Sequence, residues 1–263
     1  MASLMHLVVD NYNELIENTK DPQVDSWLFM SSPIPVLGIL AFYLYFVLKL
    51  GPAIMKDRKP LNLQGVLVAY NAYQVIFSAW LCTMPFRVGA VQFLFTHGCQ
   101  PPKQRNPFAD EVSAGAWWYF FSKIIELLDT VFFVLRKKQN QVTFLHVYHH
   151  TITALFSWGY LKFLPGEQGV IIGCLNSLVH VVMYFYYMLA AMGPRFQKYL
   201  WWKKYMTWIQ LIQFCLMLTY LVVLLVMDCR FPKALTFFFV GNVMIFLYLF
   251  SDFYRKAYKK KMM

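Results

Sequence analysis

The segment His146-Val147-Tyr148-His149-His150 places three histidines at positions i, i+3 and i+4. On an α-helix that spacing confines the imidazoles to an arc of about 100°. Imidazole is the side chain whose charge changes nearest neutral pH, so such a face suits proton transfer, nucleophilic attack or metal ligation. Three further polar clusters accompany it. Lys123, Glu126, Asp129 and Thr130 form one helical stripe in the pattern K-x-x-E-x-x-D-T. Asn176, His180, Met183, Tyr184 and Tyr187 share a face of a later segment, and Thr207, Gln210 and Gln213 recur every three residues in the next. Each cluster also has a plainer reading. Lys123 with its two carboxylates makes a self-neutralising network, and amides and hydroxyls serve helix packing. The histidines fit the plainer reading poorly: packing satisfies one membrane histidine readily, but not three on one face with a fourth at His180.

Two chemistries compete for these residues. A single metal ion could be held by His146, His149, His150 and His180 with Glu126 or Asp129 nearby, as in a desaturase- or hydroxylase-like membrane metalloenzyme. A histidine-boxed di-iron oxygenase needs more histidines than the six in this chain, two of which, His6 and His97, fall outside the apolar segments. Nucleophilic catalysis needs no metal: a neutral imidazole takes an acyl group from a thioester while a second imidazole moves protons. Spacing alone does not choose the nucleophile. Tyr hydroxyls and the Asn176 amide can hold an imidazole tautomer or polarise a carbonyl. A carboxylate from Glu126 or Asp129 would keep one imidazole basic. Because the nucleophile has to be neutral, activity is expected to fall on acidification.

The elements that position these residues are apolar. Of 263 residues 59% are hydrophobic and 14% charged, where soluble domains carry about 25% charged residues. Mean hydropathy is +0.46, which excludes a disordered chain. Apolar runs at 32–50, 64–84, 114–135, 142–160, 169–190, 206–226 and 234–251 predict seven transmembrane helices of about 20 residues each. The fourth is weakest because of its histidines. The expected architecture is an all-α integral membrane protein with one domain over residues 1–263, a short N-terminal segment 1–30 and a basic tail 252–263. An ionisable residue at mid-span costs about 3 kcal/mol and normally faces a protein-lined cavity. Four consecutive spans with polar faces therefore predict an enclosed intramembrane chamber.

Basic residues set the orientation. With the N-terminus outside, fifteen fall on the cytosolic side: Lys56, Arg58, Lys59, Arg136, Lys137, Lys138, Arg195, Lys198, Lys203, Lys204, Arg255, Lys256, Lys259, Lys260 and Lys261. Seven fall opposite, at Lys20, Arg87, Lys103, Arg105, Lys162, Arg230 and Lys233. Positive charge stays on the cytosolic side, so the C-terminus is expected inside. The net charge of +11 would suggest nucleic acid in a soluble protein; here it flanks span ends, and the bilayer is the expected partner instead. Topology alone explains these loops, and a phosphorylated ligand would also suit them. Residues 1–27 lack the apolar core of a cleavable signal, so the first span is expected to direct insertion. Among five cysteines, Cys99 and Cys229 fall in loops of one non-cytosolic compartment and would pair if it is oxidising. Neither has metal-ligand spacing to another cysteine, so no zinc site is expected there.

The four patterns in this order, with Phe133-Val134-Leu135-Arg136-Lys137-Lys138 and Tyr199-Leu200-Trp201-Trp202-Lys203-Lys204, resemble the very-long-chain fatty acid elongases of the endoplasmic reticulum over nearly the whole chain. Phe185 departs from the family, where a small polar residue is frequent, and no chain length is inferred. The resemblance implies six helices in a ring around a closed acyl tunnel, with the first helix outside it. It implies a 3-oxoacyl-CoA synthase that condenses acyl-CoA with malonyl-CoA, giving a product two carbons longer, CoA and CO2, without a cofactor. It favours His149 as the nucleophile of a ping-pong cycle, with His180 at the enolate or its protons and Asn176 and Tyr187 orienting. His146 and His150 would fix tautomers or polarise carbonyls, and Lys123, Glu126, Asp129, Tyr184, Gln210 and Gln213 would complete the polar chamber. Lys137, Lys138, Lys203 and Lys204 would take the CoA phosphates. Other enzymes of the elongation cycle and further elongase copies are the expected protein partners. Residence in the endoplasmic reticulum, with a luminal N-terminus and cytosolic C-terminus, agrees with Lys260 and Lys261, third and fourth from the end as in a dilysine retrieval signal. A seven-span receptor or transporter would share the topology but needs no imidazole triplet.

Overall fold

The computed structural model describes residues 21–97, 108–163, 169–227 and 233–259. Among these every regular element is helical. All seven apolar runs are largely helical, two of them in more than one piece, and the contacts gather into two compact units.

The first unit holds the described residues up to Pro60 and those of 113–166. It begins with the short helix α1 (Pro22–Asp25), whose first turn is held by the Asp21 carboxylate accepting from the amides of Gln23 and Val24. The chain after α1 is strapped down. The Trp117 indole donates to the Leu28 carbonyl at 3.1 Å and the Trp158 indole to the Phe29 carbonyl at 2.8 Å, with Phe29 at φ 68°. Lys162 binds the Asp25 carboxylate and donates to the Met30 carbonyl. A long rod follows: α2 (Ile34–Tyr45), a π-turn (Phe46–Leu50) and α3 (Gly51–Met55). Pro52 lacks the amide that the regular ladder needs at this point, and the turn before it widens.

The rod packs on α7 (Leu128–Leu135) and α8 (Phe144–Phe163). Gly51 permits the closest approach, since a Cβ there would lie 2.7 Å from Val134 Cγ1. Val36, Leu40, Val47, Phe120, Val134 and Leu161 belong to the apolar core of this unit. The run 114–135 is not one helix. α6 (Ala109–Glu126) ends and α7 starts after Leu127, whose amide bonds to the carbonyl of Ile124, three residues back, at 3.3 Å. That break falls inside the polar stripe.

The second unit holds Leu61–Val112 and the described residues from 169 onward. Its core pair is α4 (Gln64–Arg87) against α9 (Val170–Ala191), with α5 (Ala90–His97) beside them. After Gly193, which turns the chain at φ 100°, come α10 (Pro194–Gln197), α11 (Lys203–Val226) and α12 (Lys233–Tyr254), with α11 packing on both α9 and α12. Cys82 on α4 and Cys174 on α9 bring their sulfurs to 3.6 Å.

Among the described residues five helical stretches are long and apolar enough to cross a membrane: 34–55, 64–87, 170–191, 203–226 and 236–258. The chain is a helical, multi-pass membrane protein. The two remaining expected spans, 114–135 and 142–160, do not meet that criterion; one is broken at Leu127 and the other carries the three histidines. Cys99, Cys229, Lys260 and Lys261 lie outside the described residues.

Candidate functional site

The chemistry-bearing residues fall in both units. In the first, α6 and α7 present the Lys123 stripe and α8 the histidines. Lys123 and Glu126 form an ion pair at 2.7 Å, with about 3% of either side chain exposed. The lysine also lies over the Tyr119 ring, 4.7 Å from its centre, and Ser122 donates to the Tyr119 carbonyl at 2.7 Å. A lone buried cation would be untenable here, and Glu126 sits one helical turn away to neutralise it.

Past the break, Thr130 is fully buried and shares a 2.7 Å hydrogen bond with the Tyr43 hydroxyl of α2. Its neighbour Asp129 places Oδ2 4.0 Å from His150 Nε2, at the outer limit of an ion pair. His150 is buried. Its ring centre lies 4.4 Å from that of His146 and 5.6 Å from that of His149, to which it is nearly perpendicular at 88°. His146 rests on Phe133 of α7, and its buried Nε2 has no hydrogen-bond partner among the described residues. The i, i+3, i+4 spacing has thus gathered His146 and His149 around His150, which alone stands beside the stripe carboxylate, a group able to fix its tautomer and to stabilise a transient imidazolium.

In the second unit Asn176, Ser177, His180 and Tyr184 of α9 are buried. Tyr184 stacks edge-on with His180 at 5.5 Å, with Tyr187 at 6.3 Å and with Tyr70 of α4 at 6.1 Å. Tyr187 itself is 39% exposed. Gln74 donates to the Tyr70 hydroxyl at 3.0 Å. Of the α11 residues, Gln210 reaches the Met183 sulfur at 3.8 Å, whereas Gln213 turns to Met217 on its own helix. Lys203 and Lys204 are exposed, as are Lys137 and Lys138 in the first unit. Lys137, at φ 54°, donates to the Lys56 carbonyl at 2.9 Å. Among the described residues no group of three or more His, Cys, Asp or Glu is arranged to hold a metal ion.

Comparison with known proteins gives these clusters a common setting. Residues 28–263 match the model of the ELO: GNS1/SUR4 family. The chain belongs to the ELO family. Among its relatives, very long chain fatty acid elongase 7 of Rattus norvegicus is 45% identical over 262 residues, covering 98% of this chain and 92% of the relative. Elongase 7 of Drosophila melanogaster is 44% identical over 254 residues, covering 96% and 77%. Elongase 4 of Homo sapiens is 40% identical over 266 residues, covering 98% and 84%. Within this ELO-family chain, two groups escaped the reading of the sequence. Asn71, Gln74 and Ser78 are buried on α4, and their i, i+3, i+7 spacing is the helical signal that would have found them. Tyr43, one tyrosine among seventeen, carries no such signal.

Proposed function

We propose that this ELO-family protein is the condensing enzyme of fatty acid elongation, a 3-oxoacyl-CoA synthase working inside the membrane on acyl-CoA and malonyl-CoA. The observation that carries the reading is the buried His150 beside the Asp129 carboxylate with the His146 and His149 rings packed against it, in a chain matching the ELO family over residues 28–263. His149 attacks the thioester carbonyl; the C–S bond breaks, CoA leaves, and an acyl-imidazole forms. A neighbouring imidazole, His146 or His150, carries the proton lost by His149 to the departing sulfur. Malonyl-CoA then loses CO2, and the resulting enolate carbon attacks the acyl carbonyl. The imidazole leaves and regains a proton, releasing the 3-oxoacyl-CoA. His180 serves the enolate or its protons, with Asn176, Tyr184 and Tyr187 orienting it and Gln210 and Gln213 in the polar lining.

The wider reading follows the family. Seven helices cross the membrane, six of them around an acyl tunnel, and the protein resides in the endoplasmic reticulum with its N-terminus luminal. Lys137, Lys138, Lys203 and Lys204 are exposed bases suited to CoA phosphates. Cys99 and Cys229 pair in the lumen.

Purified protein incubated with radiolabelled malonyl-CoA and a long-chain acyl-CoA is expected to place label in a longer chain; absence of incorporation refutes the activity. With acyl-CoA alone, intact mass should rise by one acyl group in the wild type and not in His149→Ala. Acylation of His149→Ala would remove the nucleophile assignment.

A further inference from the structure

The first membrane rod makes a contact that anchoring does not require. Tyr43 is 4% exposed and Thr130 0%, and their hydroxyls meet at 2.7 Å between α2 and α7. Two apolar residues would pack these faces without any hydroxyl to satisfy, and an unmatched hydroxyl here would be costly. A buried polar pair between helices does something apolar packing does poorly: it favours one register over its neighbours. The register is tightened further along the rod, where Gly51 brings it so close to α7 that a Cβ would meet Val134 Cγ1 at 2.7 Å. The helix so held is short, and it begins at the break after Leu127. Only Leu127, itself at helical φ −58° and ψ −26°, separates it from α6, and the Leu127 amide tightens the turn there by bonding to the Ile124 carbonyl. Thr130 is the residue next to Asp129, and Asp129 stands 4.0 Å from His150.

We infer that Tyr43 is a positioning residue: through the Thr130 hydroxyl it sets α7 in the register that holds the Asp129 carboxylate against His150. The inference rests on the proposal that the α8 histidines carry out acyl transfer. It assigns the first helix a part in catalysis, where its apolar sequence suggests only an anchor.

The test is pre-steady-state release of CoA from acyl-CoA alone by full-length protein, recording rate constant and burst amplitude separately. Tyr43→Phe and Thr130→Val remove the pair with little change of shape. Both should lower the burst rate constant about tenfold, since misplacing a catalytic group by a fraction of an ångström suffices for that, with amplitude per folded molecule unchanged. Thr130→Ser, which keeps the hydroxyl, should recover the wild-type rate constant. A merely structural contact would lower the total amplitude, by loss of folded protein, and leave the rate constant alone; an unchanged rate constant overturns the inference. So does a wild-type rate in Tyr43→Phe, or a Thr130→Ser protein as slow as Thr130→Val. A wild type that elongates acyl-CoA without a burst refutes the acyl-enzyme reading instead, and the inference falls with its premise.

Discussion

Replacing Glu126 by glutamine isolates the energetics of the polar stripe. In the wild type the carboxylate is 2.7 Å from Lys123, and both side chains are about 3% exposed. Glutamine keeps the shape and removes the charge, leaving an ammonium group buried beside the Tyr119 ring. Breaking a buried pair from one side typically costs about 3–5 kcal/mol, because the remaining charge has lost its compensation. Each kcal/mol moves the midpoint of thermal unfolding by roughly 2–4 °C in chains of 150–250 residues, so a fall on the order of 10 °C is expected for Glu126→Gln. The contact of Lys123 with the Tyr119 ring is common to both proteins and cancels in this difference. Removing both charges reverses the sign of the argument: Lys123→Met/Glu126→Leu leaves nothing to neutralise and should melt well above the single variant, near the wild type. The assay is thermal unfolding of the purified full-length protein in detergent, followed by loss of monodisperse material. If Glu126→Gln melts within a degree or two of wild type, or the double variant is no more stable than the single one, the pair is not a buried mutual dependence and the reasoning fails.

Gly51→Val should destabilise the rod against α7 by about 1–3 kcal/mol, because its Cβ would approach Val134 Cγ1 to 2.7 Å; Val134→Ala in the same chain should restore part of the loss in melting temperature. Engineered glycosylation acceptors in the 88–110 connection are expected to be modified in microsomes and those in 191–204 not, if the fifteen basic residues of the proposed cytosolic side set the orientation; the reverse pattern refutes it. Peptide mapping without reductant should recover Cys99 joined to Cys229, and both thiols free would remove that pairing. Mild oxidation in the membrane should cross-link Cys82 to Cys174, whose sulfurs stand 3.6 Å apart; failure would contradict the packing of α4 on α9.

What could be read from the sequence was whatever repeats at the helical period. His146, His149 and His150 meet because i, i+3 and i+4 share a face, and Lys123 meets Glu126 for the same reason. Asn176, His180 and Tyr184 are buried together on the same principle. The break at Leu127 was not legible, since neither proline nor glycine marks it and the periodicity runs through it undisturbed. Equally illegible was Tyr43, whose partner is 87 residues away; a contact between segments leaves no trace in the spacing of either. Tyr187 shows the limit from the other side. Its spacing places it on the face of His180, but it lies near the end of α9, and a helical face does not guarantee burial along its whole length.

The two helical segments that miss the apolar criterion for a span are the ones that carry the stripe and the histidines. Hydropathy scores each helix as though it faced lipid, whereas a helix lining a polar interior is stabilised by its neighbours. The first unit shows how. Lys123 is met by Glu126, Thr130 by Tyr43 and His150 by Asp129, while the Trp158 indole and Lys162 at the far end of α8 are taken up by carbonyls of the strapped segment at Phe29 and Met30. Each of these groups would cost several kcal/mol if left alone in hydrocarbon. Such helices are therefore stable in the membrane only as part of the assembled unit, and the α2–α3 rod, the most plainly apolar element of that unit, is what they assemble on. Weakening the rod's contact with α7 should thus impair the histidine face before it expels the rod from the membrane. Gly51→Val makes the two separable: acylation by acyl-CoA should fall while protease protection of the 34–55 segment in microsomes is retained. Loss of protection at unchanged acylation would show that the rod is an anchor and nothing more.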